Sequence, residues 1–282
     1  MALTIEQIIR QSSQLLAPVS ESAKLDVELL LAKAIGKDRT YLFTWSDKLV
    51  SSEDKSIFEV MFYRRIKGEP IAYILGQQEF WDLTLNTAQH TLIPRADTET
   101  LIEWGLELSE ILPEHAKVID LGTGTGAIAL ALAKENPSWQ VQAVDLIPQA
   151  VELAKQNAEI NNLNRVKIYQ SSWFDQVDGE FDLIVSNPPY IDPDDEHLSQ
   201  GDVRFEPKSA LVADNNGLAD LELIADQARQ YLVNGGWLLM EHGYDQREQL
   251  QAILTQLGYQ QVTTRIDLGG NPRITGGQFF YE

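Results

Sequence analysis

The spacing of apolar positions changes twice along the chain, and the changes divide it into three stretches. Up to about residue 75 the apolar residues recur at intervals of three and four. Ile5, Ile8, Ile9, Leu15 and Leu16 form one stripe, Ala23, Val27, Leu30, Leu31, Ala34 and Ile35 a second, and Ile57, Phe58, Met61, Phe62 and Ile66 a third. Such spacing predicts three helices, each with one apolar face. The helix ends carry matching signals. Thr4 and Gln7 fit a capping box, Ser22 stands where it can cap the second helix, and Gly36 stands where a glycine stops it. The third helix begins near Ser52 and is broken by Gly68-Glu69-Pro70. Arg64, Arg65 and Lys67 near its end read as a solvated terminus complementing the helix dipole. Residues 1–75 are therefore expected to form a small helical domain.

Between about residues 71 and 95 the pattern alternates instead. Glu79-Phe80-Trp81-Asp82-Leu83-Thr84-Leu85-Asn86 reads as part of a β-hairpin joining two domains, which makes residues 76–95 a linker. From residue 96 to 282, short apolar runs of strand length alternate with helical stripes. Strands are predicted at 118–121, 141–145, 166–170, 181–186, 237–241, 260–266 and 273–281, and helices at 101–112, 127–134, 148–161, 218–232 and 245–257. Strands alternating with helices define an α/β fold with a doubly wound, mostly parallel sheet. The final two strands have no helix between them, so an antiparallel strand is expected at the end.

One strand stops abruptly in a rigid polar corner. Phe181–Ser186 reads as an interior strand, and Asn187-Pro188-Pro189-Tyr190 ends it, because two prolines give no N–H to the ladder and each restricts its predecessor. The corner lies at the carboxyl end of its strand, where open α/β sheets place their ligands. The Asn187 side-chain oxygen and the Pro188 carbonyl are two acceptors suited to a planar nitrogen with two hydrogens, and Tyr190 can lie against its flat face. An amide or amino nitrogen of that kind is a weak nucleophile. Catalysis at Asn187, Pro188 and Tyr190 would consist of gripping both hydrogens and aiming the nitrogen at an electrophile.

The turn Gly122-Thr123-Gly124-Thr125-Gly126 follows another strand. Glycines let backbone approach a ligand closely, and the next helix presents N–H groups to an anion. The spacing is not the Gly-x-Gly-x-x-Gly of dinucleotide sites, although Asp145 ends the next strand where a ribose-binding acid belongs. Asp145 alone does not separate NAD from another adenosine ligand. S-adenosylmethionine needs the same ribose clamp and no pyrophosphate pocket, and it would supply the electrophile that the Asn187 corner lacks.

Charge narrows the substrate. The net charge of -20 arises entirely after residue 75, since residues 1–75 hold 10 basic and 10 acidic residues and residues 76–282 hold 12 and 32. So acidic a region disfavours a phosphate backbone, and nucleic acid is not an expected partner. The chain contains no Cys, and His90, His115, His197 and His242 are scattered without ligand spacing, so no metal is expected. No apolar run approaches the roughly 20 residues of a membrane span, and the amino terminus lacks a signal-peptide pattern, which makes the cytoplasm the expected location.

In ordered combination these motifs resemble the release-factor glutamine methyltransferases, the HemK/PrmC-type family, across essentially the whole chain. The resemblance rests on the helical amino-terminal stretch, Glu79-Phe80-Trp81, Ile93-Pro94-Arg95-Ala96-Asp97-Thr98-Glu99, residues 120–126, Ser186 through Tyr190, and Gly201-Asp202-Val203-Arg204-Phe205-Glu206-Pro207. It implies a class I S-adenosylmethionine-dependent methyltransferase that modifies the glutamine of the GGQ motif in class 1 peptide-chain release factors. It also implies that Gly122, Gly124, Gly126 and Asp145, with Thr123 and Thr125 of the same turn, bind the cofactor, with Trp173 beside the adenine. Asn187, Pro188, Pro189 and Tyr190 would hold the glutamine amide, with Phe80 and Arg95 as further candidates. For the Arg95 to Glu99 segment, facing the active site and capping a helix through Asp97 are both open. Asn-Pro-Pro-Tyr alone is shared with adenine amino methyltransferases, which remain one alternative; a non-catalytic adenosine-binding adaptor is the other. Gly276-Gly277-Gln278 spells the motif methylated in the family's substrates and reads here as a bulge or tight turn.

Overall fold

The computed structural model describes residues 3–281, and the chain separates into two compact units. The first comprises residues up to Gln77 together with Ser199–Phe205, and the second comprises Gln78–Leu198 with the remainder from Glu206.

Among the described residues the first unit contains five α-helices: α1 Ile5–Leu16, α2 Ala23–Ile35, α3 Arg39–Thr44, α4 Ser52–Ile66 and α5 Ile71–Leu75. The Thr4–Gln7 capping box forms with both of its hydrogen bonds, and Gly36 ends α2 at φ 67°. Ser22 does not cap. Its hydroxyl instead donates to Asp26 at 2.7 Å, because Asp26 is held by a buried partner, Arg65. Arg65 thus departs from the solvated terminus expected of it. Its Nε lies 2.7 Å from Asp26 and its Nη1 3.2 Å from Asp202 in the segment 199–205. The third stripe is only half right, since Phe58 and Phe62 are buried while Ile57 and Ile66 are exposed. The short helices α3 and α5 carry too few turns to show a period, and α5 occupies part of the stretch read as alternating.

Next along the chain, β1 Gln77–Phe80 and β2 Leu83–Asn86 pair as the expected hairpin, turning at Trp81 with φ 47°. The hairpin is pinned along α8, Pro148–Ile160, and just past its end. Asn157 Oδ1 accepts from Asn86 N at 2.7 Å, and Asn161 Oδ1 from Thr84 N at 3.3 Å. Phe80 is buried in the core beneath. The sheet contains β3 Lys117–Leu121, β4 Gln140–Asp145, β5 Lys167–Gln170, β6 Phe181–Ser186, β7 Leu232–Glu241, β8 Gln260–Ile266 and β9 Pro272–Phe279, in the order β5-β4-β3-β6-β7-β9-β8. All pairings are parallel except those of β9, which is antiparallel to both neighbours, as expected of a last pair lacking a helix. Helices α6 Glu99–Glu107, α7 Ala127–Glu135 and α8 contribute to one apolar core. Helices α10 Ala219–Ala228 and α11 Arg247–Gln256 cover another, following the one-turn α9 Asp214–Gly217. The helix predicted over 218–232 stops at Ala228, and β7 already begins at Leu232, which pairs with Phe181. No helix among the described residues is long and apolar enough to cross a membrane.

Gly276-Gly277-Gln278 forms no turn and no bulge of its own. It runs straight through β9, between β7 and β8, and the irregularity falls on the opposing strand, where Gln261 has φ 53°. Crowding requires a glycine at 276 and makes the fit tight at 277. A Cβ on Gly276 would meet Leu239 Cδ2 at 2.4 Å and the Leu238 carbonyl at 2.8 Å, whereas one on Gly277 would meet Tyr259 Cβ at 3.0 Å. Gln278 is tied down, donating to the Gly235 carbonyl at 2.7 Å. Gly276→Ala is therefore expected to destabilise the protein by about 1–3 kcal/mol, and Gly277→Ala by less. Urea denaturation checks the order, and equal losses would show that crowding at Gly276 is relieved by side-chain movement alone.

Candidate functional site

Strand order reverses at β3, which has β4 on one side and β6 on the other. Leu121 at the end of β3 stands opposite Ser186 at the end of β6, and the Ser186 hydroxyl donates to the Leu121 carbonyl at 2.8 Å. The glycine turn and the Asn187 corner are thereby brought side by side at the switch point, where doubly wound sheets bind ligands. A cavity of about 230 Å³ opens there. Its walls include Gly122 through Thr125, Asp145, Trp173, Asn187 and Pro189.

The turn takes its shape from three glycines at φ 71°, 56° and 86°. A side chain on Gly122 would be strained at that φ and would come within 3.2 Å of the Trp173 ring, so glycine keeps this wall open. Asp120 lies fully buried beneath the turn. Its Oδ2 accepts from the Thr123 hydroxyl at 2.6 Å and the Ala129 amide at 3.3 Å, while its Oδ1 has no partner. Burial pushes this carboxyl up to about 7. Asp145 uses both oxygens to brace the backbone, accepting from Gly124 N at 2.9 Å and Ile147 N at 2.8 Å. Burial raises its pKa as well. Each carboxylate oxygen has a second lone pair, so Asp145 can also accept from a pair of ribose hydroxyls. Trp173, at φ 44°, lies on the same wall as Asp220.

Asn187 is held by its amide. Its Nδ2 donates to Thr98 Oγ1 at 3.3 Å, which directs its oxygen elsewhere. The Thr98 hydroxyl donates to Glu241 Oε2 at 2.7 Å, and the Tyr190 hydroxyl to Glu241 Oε1 at 3.2 Å. Glu241 ends β7 and is 1% exposed, and burial pushes it up to about 7. The Tyr190 hydroxyl is raised by burial and by the adjacent Glu241.

Not every expected residue reaches the cavity. Phe80 is core, packed under the hairpin. Arg95 pairs with Glu206, whose buried carboxylate also accepts from Ile93 N at 3.2 Å, so it braces the segment before α6. Asp97 makes no cap; it pairs with Arg273 at 3.4 Å. Pro188 and Tyr190 adjoin Asn187 in the chain without being among the cavity's lining residues. Conversely, Thr98, Asp120, Asp220 and Glu241 were not singled out from the sequence, and His90 on the cavity wall was read there only as a scattered histidine. Asp120 and Glu241 share a legible signal, an acid at or next to the last residue of an apolar strand at the ligand-binding edge of the sheet.

This fold, with a glycine turn, an acid ending the next strand and a cavity at the switch point, defines a class I methyltransferase, whose methyl donor is S-adenosylmethionine. Residues 7–76 match the PrmC N-terminal domain and residues 105–205 the Methyltransferase small domain. The chain is 50% identical to the release factor glutamine methyltransferase of Aliivibrio fischeri, with 100% of both chains covered. It is 54% identical to that of Shewanella oneidensis over 94% of this chain and 92% of the other. The chain belongs to the release factor glutamine methyltransferase family, as its motifs implied. A solved methyltransferase structure from Pyrococcus furiosus shares the fold, with TM-score 0.55 at 19% identity over 78% of this chain and 98% of that one.

The buried acids give stability a definite dependence on pH. Glu241 titrates at about 7 when folded and near its ordinary 4.5 when unfolded, so between those values the folded state holds a proton that the unfolded chain has lost. Its contribution is favourable below pH 4.5 and is lost as pH rises through 7. Glu241→Gln removes that dependence while keeping the shape. From pH 5 to pH 8 the variant's melting temperature is expected to gain on the natural protein's, by the equivalent of up to about 3 kcal/mol. A difference that stays constant with pH would show that Glu241 does not titrate in this range.

Proposed function

We propose that this enzyme transfers a methyl group from S-adenosylmethionine to the side-chain amide nitrogen of the GGQ-motif glutamine in class 1 peptide-chain release factors, acting in the cytoplasm. The observation that carries the reading is the orientation of Asn187, whose NH2 is occupied by Thr98 so that its oxygen is free to accept. A glutamine amide presents two hydrogens, and Asn187 Oδ1 and the Pro188 carbonyl accept one each. Both bonds strengthen as the nitrogen becomes positive, so they favour the transition state over the ground state. Pro189 keeps the corner rigid, and Tyr190 supports the side of the amide. Bound S-adenosylmethionine supplies an electrophilic sulfonium methyl. Gly122, Thr123, Gly124, Thr125 and Gly126 leave room for its amino-acid end, Asp145 accepts from the ribose hydroxyls, and Trp173 flanks the adenine. The methylated nitrogen is strongly acidic and gives its spare proton to water, so no general base is required.

The helical domain, residues 1–75, serves recognition of the protein substrate, since the proposed cofactor residues lie outside it. A protein glutamine is favoured over an adenine amino group because residues 76–282 carry 32 acids against 12 bases, a poor surface for phosphates.

Two variants separate the roles. Asp145→Asn, which turns one acceptor into a donor, is expected to weaken S-adenosylmethionine binding by about tenfold or more in calorimetry. Asn187→Ala is expected to leave that affinity nearly unchanged and to lower kcat by about 100-fold. Unchanged affinity in the first variant would remove Asp145 from the site. For the substrate, a release factor and a mixed DNA and RNA pool compete for labelled S-adenosylmethionine. Label is expected on the release-factor glutamine, and label on adenine with the glutamine unmodified would refute the assignment.

A further inference from the structure

Glu241 lies outside the motifs that carry the family resemblance, yet it stands at the centre of the hydrogen bonds that hold the Asn187 corner. Its two oxygens each accept one hydroxyl, Thr98 at 2.7 Å and Tyr190 at 3.2 Å, and Thr98 accepts in turn from Asn187 Nδ2 at 3.3 Å. An ionised carboxylate accepts and never donates. It therefore sets the direction of every bond in the chain. Thr98 has one proton, committed to Glu241, and can meet Asn187 only as an acceptor. Asn187 must then turn its NH2 toward Thr98 and its oxygen away.

We propose that Glu241 is a positioning residue for methyl transfer, acting through Thr98 to fix which end of the Asn187 amide faces the substrate nitrogen. The inference rests on the reading of Asn187 as the acceptor for the substrate amide. Packing does not choose between the two ends of an amide, whose oxygen and NH2 are nearly the same shape and whose terminal torsion is broad and roughly two-fold. Hydrogen-bond polarity does. A glutamine at position 241 would fill the same space but can offer its NH2 to Thr98. That frees the Thr98 proton for Asn187 Oδ1 and turns the Asn187 NH2 toward the substrate, donor against donor.

The surroundings support a carboxylate held for function. Glu241 is buried, and the groups acting on it are the Thr98 and Tyr190 hydroxyls, the Arg273 guanidinium, which favours its charge, and Asp97, which opposes it. Arg273 is shared with Asp97 at 3.4 Å and Asp267 at 3.3 Å, so Glu241 has no ion-pair partner of its own among the described residues. A buried acid so placed costs stability when ionised. Its retention is explained by the polarity it imposes.

The test uses the full-length enzyme and an intact release factor, comparing Glu241→Gln, Thr98→Val, Thr98→Ser and Asn187→Ala. Glu241→Gln and Thr98→Val are each expected to lower kcat by about 10- to 100-fold. Release-factor KM and S-adenosylmethionine affinity should stay within about threefold. Thr98→Ser, which keeps the hydroxyl, should recover most of the loss. The double variant Glu241→Gln/Thr98→Val should be little worse than the poorer single, because both cut the same chain. The natural enzyme's kcat should rise with pH through about 7, the value to which burial pushes Glu241, and this rise should vanish in Glu241→Gln. A purely structural role predicts instead a loss of stability and no change in the pH profile, and that result would overturn the proposal. So would near-normal kcat in both Glu241→Gln and Thr98→Val with Asn187→Ala inactive, which leaves the reading of Asn187 standing. An active Asn187→Ala overturns that reading and this inference together. If Glu241→Gln does not fold, the contrast between Thr98→Val and Thr98→Ser decides.

Discussion

The pairing of β3 with β6 is the constraint on which the site depends. Leu121 opposite Ser186 brings together two motifs separated by 65 residues of chain, and the Ser186 hydroxyl fastens the strand ends where the backbone ladder stops. Parallel register makes both strands end at the same edge, so the glycine turn leaving one and the proline corner leaving the other share a wall. A slip of one residue would exchange the faces of β6 and take Asn187 out of the cavity.

Around that edge stand three buried carboxyls, Asp145 and Glu241 at the last residue of their strands and Asp120 one residue before the end of β3. None has an ion pair of its own among the described residues. They are held by hydroxyls and backbone amides, donors whose direction is fixed by the fold. Asp120 and Asp145 shape the glycine turn, and Glu241 orders the opposite wall. Burying so much acid lowers stability near neutral pH, and the two apolar cores on either face of the sheet offset the loss. The site trades stability for fixed polarity.

Much of this molecule was legible before folding. The period of the apolar residues gave the helical stretch, the alternating strands and helices and the antiparallel end, because burial on one face leaves a trace at each position of an element. Two motifs were also legible, because glycine and proline are chosen by backbone geometry that few other residues can adopt. The short helices α3 and α5 were not, having too few turns to show a period. Gly276 and Gly277 misled for a related reason. A glycine required by a neighbour's bulk looks in sequence like a glycine required by a turn.

What only the tertiary structure decided is which polar side chains meet. Phe80 and Arg95 lay in the right segments yet turned to the core and to Glu206, while Thr98 and Glu241, separated by 143 residues, came together behind Asn187. Local sequence determines the conformation of an element and the face it buries. It does not specify the partner across the sheet, and the direction of a hydrogen bond depends on that partner alone.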